Sequence, residues 1–183
     1  EAQYWLWSQH PDFGYYSKPP MIAWVLSLTT WLSGSSEIFW LRLPGPVIHA
    51  ATAIVLMAAS RHLTRDEITG WVGATYVVAP AVGLSSYLFS TDVVLLFFIA
   101  IGLWAYFGLT QRRSVGLAVI MGVAFGGAFL SKYAVLFLVP GGLVALALIP
   151  AMAAREVAVS SLATVYALSS NADDAASQLQ PLI

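Results

Sequence analysis

The sequence predicts an all-α, polytopic membrane protein with about five transmembrane helices plus interfacial helices in a first external loop. Three observations carry that reading: 59% of the 183 residues are hydrophobic, only 9% are charged, and the mean hydropathy is +0.78. A soluble domain carries about 25% charged residues, so there is too little charge here to cover a water-facing surface. The net charge of −1 offers no basic face for nucleic acid, and no nucleic-acid partner is expected. The lack of cysteine excludes disulfides, thiolate metal sites and cysteine nucleophiles. The chain opens on Glu1 with neither a Met nor a basic leader, and reads as a piece of something longer.

The elements follow in order from where the charges fall. Residues 1–36 form the external loop. Its first half, 1–18, is crowded with Tyr4, Trp5, Trp7, Phe13, Tyr15 and Tyr16, rings that prefer the headgroup level, and is expected to lie on the outer membrane surface as an aromatic belt. The stretch 19–36 is uncharged, but Pro19-Pro20 opens it and Ser33-Gly34-Ser35-Ser36 closes it. The roughly 13 apolar positions left are too few to cross a bilayer, so an interfacial or re-entrant helix is expected. Five spans come next, near 43–60, 70–89, 93–111, 114–131 and 133–150. Each fills an uncharged interval of roughly 18 to 24 residues, enough for a helix to cross about 30 Å of hydrocarbon.

Threading the spans alternately through the bilayer gathers Arg61, Arg65, Arg112, Arg113 and Arg155 on one side. The other side holds Lys18, Arg42 and Lys132, mixed with Glu1, Asp12, Glu37 and Asp92. The arginine side is then cytoplasmic. The expected location is the inner (cell) membrane, multi-pass, with any active site on the extracytoplasmic side.

Asp92 and Lys132 both fall at external helix ends. Ionisable groups near membrane depth usually face a cavity or pair with one another, which points to a polar external pocket. The plainer alternatives are that Lys132 snorkels to the interface and that Asp92 caps the helix after Ser90-Thr91. Lys18, just before Pro19-Pro20, has the plain alternative of an interfacial lysine at a helix start. No P-loop and no His-Glu-x-x-His occurs, and His10, His49 and His62 are too scattered to suggest a ligand set. Gly122, Gly126 and Gly127 suggest a small-residue packing face, with Gly122 to Gly126 as its GxxxG.

Five motifs in order carry a resemblance: EAQYWLWSQH at 1–10, GYYSKPPM at 14–21, Arg42-Leu43-Pro44, Ser90-Thr91-Asp92 opening a helix, and Leu130-Ser131-Lys132-Tyr133. Together they resemble a GT-C class membrane glycosyltransferase of the dolichyl-phosphate-mannose protein mannosyltransferase-like group, which includes the aminoarabinose transferases of lipid A. The likeness covers about residues 1–147, a partial membrane domain. It implies transfer of a sugar from a polyprenyl-phosphate donor to a lipid or protein acceptor outside the cytoplasm, within membrane lipids. It implies Glu1 as the second member of an Asp-Glu pair whose Asp would stand one residue earlier, and Asp92 as a second catalytic carboxylate. Lys18 and Lys132, with Arg42 as a weaker third, are the implied contacts to the donor phosphate. Attack on the anomeric carbon needs a carboxylate for the acceptor proton and cations for the departing phosphate. No cofactor and no metal is expected.

The tail differs. Residues 148–183, with Ala154-Arg155-Glu156-Val157 followed by Thr164-Val165-Tyr166-Ala167-Leu168, resemble the membrane region of bacterial ferrous-iron transport protein B, and neither Phe nor Trp occurs after Phe137. This points to a chimeric chain joined near residues 140–150. Two alternatives follow: a fragment of a ferrous-iron transporter with Arg155 and Glu156 in a gating helix, or an inactive chimeric fragment.

Overall fold

The computed structural model describes residues 2–64 and 66–137, with Pro140, Gly141 and Val144. The chain divides into two compact units, 1–136 and 137–183, and the fold below is that of the first. Among its described residues all regular structure is helical.

Helix α1, Ala2–Ser8, ends where the Ser8 hydroxyl donates back to the Trp5 carbonyl at 2.7 Å. Helix α2, Met21–Ser33, starts at Pro19-Pro20 and stops at Gly34, whose φ of 64° is the left-handed conformation that glycine adopts without strain. Ile22, Ala23 and Leu26, at i, i+1 and i+4, are buried, whereas Leu28, Trp31 and Leu32 are exposed. This is the expected short helix of 19–36, and its inner face enters the core of the bundle: Ile22 and Leu26 pack with Phe89, Val93 and Val94.

Helix α3, Ile38–Arg42, runs almost directly into α4, Pro44–Ser60. Together they make a 23-residue apolar stretch, Ile38–Ser60, long enough to cross a membrane. Helix α5, Asp66–Val78, and α6, Pro80–Tyr87, occupy the expected span near 70–89 but meet at a bend of 56°. The cause is Pro80, which has no N–H to donate and forces Ala79 out of the helical region, to φ −62° and ψ 128°. The Ala79 carbonyl then accepts from Val82 and Gly83 and starts α6 afresh.

Helix α7, Thr91–Gln111, has 21 residues and is the second helix long and apolar enough to span. Helix α8, Val115–Ser131, is apolar but has 17. Its first turn is capped by Ser114, whose Oγ accepts from the Leu117 N–H at 3.4 Å. Among the described residues two helices can therefore cross a bilayer, or three if the bent pair is one span. The expected span 133–150 opens differently: Lys132 is extended (φ −161°, ψ 131°), and Tyr133–Phe137 is a 3-10 helix. The rest of that interval lies outside the described residues, apart from Pro140, Gly141 and Val144.

Helix α4 packs against α5, α6 and α7, and α7 against α8. Small residues set the close approaches. A Cβ on Gly127 would lie 2.5 Å from the Phe98 ring, and one on Gly108 would lie 2.9 Å from Leu117 Cδ1. The expected GxxxG pair needs correction, since neither Gly122 nor Gly126 has any atom within 4 Å of an added Cβ. On α8 the inward positions are Leu117, Ala124, Gly127, Ala128 and Ser131. At about 100° per residue, Gly122 and Gly126 fall on the other side of the helix.

Candidate functional site

Helices α7 and α8, of 21 and 17 residues, are joined by the short link 112–114 and pack against each other, so the end of α8 returns close to the start of α7. There Lys132 Nζ donates to Asp92 Oδ1 at 2.6 Å. Of the alternatives weighed from sequence, pairing is the one realised. Asp92 is the second residue of α7 rather than its cap, because extended Ser90 occupies that position. Each charge sits where its helix favours it, the carboxylate at the positive N-terminal end of α7 and the ammonium at the negative C-terminal end of α8. The side chains are 33% (Lys132) and 50% (Asp92) exposed, so the pair is open to a ligand. An ionised carboxylate has about four lone-pair sites, and one is used by Lys132.

Asp92 also lines a cavity of about 420 Å³, walled by α6 through Ala81, Leu84 and Ser85 and by Leu88 and Ser90 of the α6–α7 link. A second, apolar cavity of about 370 Å³ lies among Trp5, Leu26, Ile38, Leu41 and Phe89. Phe89 faces one cavity while Leu88 and Ser90 face the other, so the short link between α6 and α7 serves both.

Arg42, the last residue of α3, places its guanidinium 4.4 Å from the ring centroid of Tyr87, the last residue of α6. Tyr87 was not singled out from sequence, and its only signal was its place in an aromatic-rich chain. Lys18 is half-buried next to the fully buried Pro19 and Pro20, and its ammonium makes no ion pair with any described residue. Glu1 lies outside the described residues.

The aromatic residues of 1–18 form a built loop in addition to any belt. The Tyr15 ring stacks on Trp7, with centroids 4.7 Å apart. Its hydroxyl accepts from the Asp12 N–H at 3.1 Å and lies 3.0 Å from the carbonyls of both Trp7 and His10, to one of which it donates. The Tyr15 N–H donates to the Lys18 carbonyl at 3.2 Å, and Trp24 Nε1 of α2 donates to the Asp12 carbonyl at 2.9 Å. Tyr15 therefore ties the backbone of Lys18 to α1.

At the opposite end of α7, Gln111 Nε2 donates to the His62 carbonyl at 2.6 Å, and its Oε1 lies 3.1 Å from His62 Nδ1. The Arg61 and Arg112 turns thus share one end of the bundle, while Arg42, Asp92 and Lys132 share the other. For these residues the grouping is the one expected from the charges; Arg65, Arg155 and Glu1 lie outside the described residues. Among the described residues no three of His, Asp and Glu come together as a metal-ligand group.

The model of the dolichyl-phosphate-mannose-protein mannosyltransferase family matches residues 17–170. The lipid A galacturonosyltransferase RgtD of Rhizobium johnstonii is 63% identical over 171 residues, covering 92% of this chain and 36% of that protein. The chain thus spans about a third of the length of this curated relative. No solved structure matches. The family match passes through residues 140–150 and into the tail, whose Arg155 and Glu156 lie outside the described residues.

Proposed function

The chain belongs to the dolichyl-phosphate-mannose-protein mannosyltransferase family, and from that premise we propose that it forms the donor-binding end of a membrane glycosyltransferase. The donor is a sugar linked to a polyprenyl phosphate, and the acceptor is a lipid on the extracytoplasmic side of the inner membrane. The likeness to a lipid A galacturonosyltransferase supports galacturonic acid as the sugar and lipid A as the acceptor.

The observation that carries this reading is the partly exposed Asp92–Lys132 pair, whose carboxylate member lines the cavity beside α6. In the reaction an acceptor hydroxyl attacks the anomeric carbon. The bond from that carbon to the phosphate oxygen breaks, and the lipid phosphate leaves with the electron pair. Lys132 and Lys18, with Arg42 as a weaker third, offset the charge that grows on the phosphate. Asp92 holds the Lys132 ammonium in place, and its remaining lone pairs, or those of Glu1, take the acceptor proton. The apolar cavity beside Phe89 suits the first isoprenoid units of the carrier.

The test uses the full-length protein in membrane vesicles, supplied with polyprenyl-phosphate-linked galacturonic acid and lipid A. The expected product is lipid A carrying one added galacturonosyl group, lost in Lys18→Ala at normal expression. Undiminished transfer by Lys18→Ala would remove that lysine from the phosphate site, and no transfer by the wild-type protein would reject the donor and acceptor assignment.

A further inference from the structure

His49 is the one histidine buried in the described bundle, 3% exposed on α4, and it stands twelfth in the 23-residue stretch Ile38–Ser60, the middle of a membrane span. A polar ring at that depth is costly unless its nitrogens are satisfied inside the bundle. Both are, and from opposite sides of the bend between α5 and α6. Nδ1 lies 2.8 Å from the Tyr76 hydroxyl, three residues before Ala79, and Nε2 lies 2.9 Å from Ser85 Oγ, five residues after Pro80. Ser85 Oγ also donates to the carbonyls of its own helix, Ala81 at 2.7 Å and Val82 at 3.3 Å; with its proton there, Ser85 is the acceptor for a His49 Nε2–H, the tautomer in which Tyr76 donates to Nδ1.

Close contacts of two glycines flank this staple, one with backbone and one with a side chain. A Cβ on Gly45 would lie 2.7 Å from the Ser86 carbonyl, and one on Gly73 would lie 2.6 Å from Met57 Sδ. Both arms of the bend are therefore pressed against α4, and His49 joins them in between. Ser85 is at once the histidine's partner and part of the wall of the cavity that Asp92 lines.

We propose that His49 is a positioning residue for the donor site: by holding Ser85 it fixes the α6 wall facing Asp92. The proposal rests on reading that cavity as the donor site, and its test separates the two. Two measurements are made on the full-length protein in vesicles. One is transfer kinetics. The other is the rate at which a maleimide labels a cysteine placed at Leu88 on the same wall, with thiols outside this chain replaced, since the chain itself has none.

His49→Asn keeps a polar group at the Nδ1 position toward Tyr76 but falls short of Ser85, whereas His49→Gln keeps a donor at the Nε2 position. His49→Asn and Ser85→Ala are each expected to raise KM for the donor about tenfold, the size of one lost hydrogen bond, with kcat within about twofold. Both are also expected to change Leu88→Cys labelling by about fivefold or more, since α6 is freed from α4. His49→Gln is expected to stay within about twofold of wild type on both readings. Equal behaviour of the Asn and Gln variants, tracking only their loss of Tm, would overturn the proposal. So would unchanged labelling in His49→Asn. If the wild-type protein transfers no sugar, a labelling change confined to His49→Asn and Ser85→Ala still supports the staple while the donor-site reading falls.

Discussion

Asp92 and Lys132 are 40 residues apart in sequence and 2.6 Å apart in space, because α7 and α8 fold back on each other and bring the start of one to the end of the next. Both charges gain from their helix ends, so the pair does not depend on burial for its geometry.

That exposure sets a small contribution to stability. Lys132→Ala should destabilise the bundle by no more than about 1 kcal/mol, as for other half-exposed ion pairs. Exchanging the two residues, Asp92→Lys with Lys132→Asp, should restore contact but place each charge at the unfavourable helix end. Thermal unfolding in detergent is expected to rank wild type first, with the exchanged protein no better than Lys132→Ala. An exchanged protein as stable as wild type would contradict the role of the helix ends.

Packing of α8 on α7 makes a second prediction. Gly127→Val places side-chain atoms in the Phe98 ring and should cost about 1–3 kcal/mol by overpacking. Gly126→Val, which meets nothing within 4 Å, should change Tm little. Equal losses for the two variants would show that the Gly122–Gly126 face is also packed.

The loop before α2 gives a third. Tyr15→Phe removes the hydroxyl that accepts from the Asp12 N–H and donates to a carbonyl of α1 or its exit, while leaving the stack on Trp7. Amide exchange across 10–18 should quicken, and donor KM should rise by about tenfold if this loop holds Lys18. Faster exchange with unchanged KM would separate the loop from donor binding.

A fourth concerns the cap of α8. Ser114→Ala leaves the Leu117 N–H without its partner and should cost about 1 kcal/mol, read as a lower Tm, with transfer unaffected because the cap lies at the end of the bundle away from Asp92. Loss of transfer would contradict that separation of the two ends.

Charge scarcity makes much of this legible in the sequence. It located the ends of α4, α7 and α8 and brought Asp92 and Lys132 to one side. It failed where the deciding contact was uncharged or far away in sequence. Pro80 was visible, yet an uncharged interval of the right length hid the 56° bend that it causes. His49 looked isolated because its partners lie 27 and 36 residues away. The GxxxG spacing was real, but spacing does not say which side of a helix meets a neighbour, and Gly127 rather than Gly126 does. The aromatic residues of the first loop were assigned to the headgroup level from composition, which cannot show that Tyr15 closes the loop around the backbone of Lys18.

The most direct test of the proposed site is transfer by Asp92→Asn in the full-length protein, at matched protein amount and with Tm measured alongside. Asn is close to isosteric but lacks the charge that holds Lys132 and the basicity to take a proton. The expected result is a fall in kcat/KM of about 100-fold or more with Tm nearly unchanged, because removing a catalytic carboxylate affects the transition state far more than it affects a half-exposed ion pair. Transfer within a few-fold of wild type would contradict the assignment of the Asp92–Lys132 pair as the centre of the reaction.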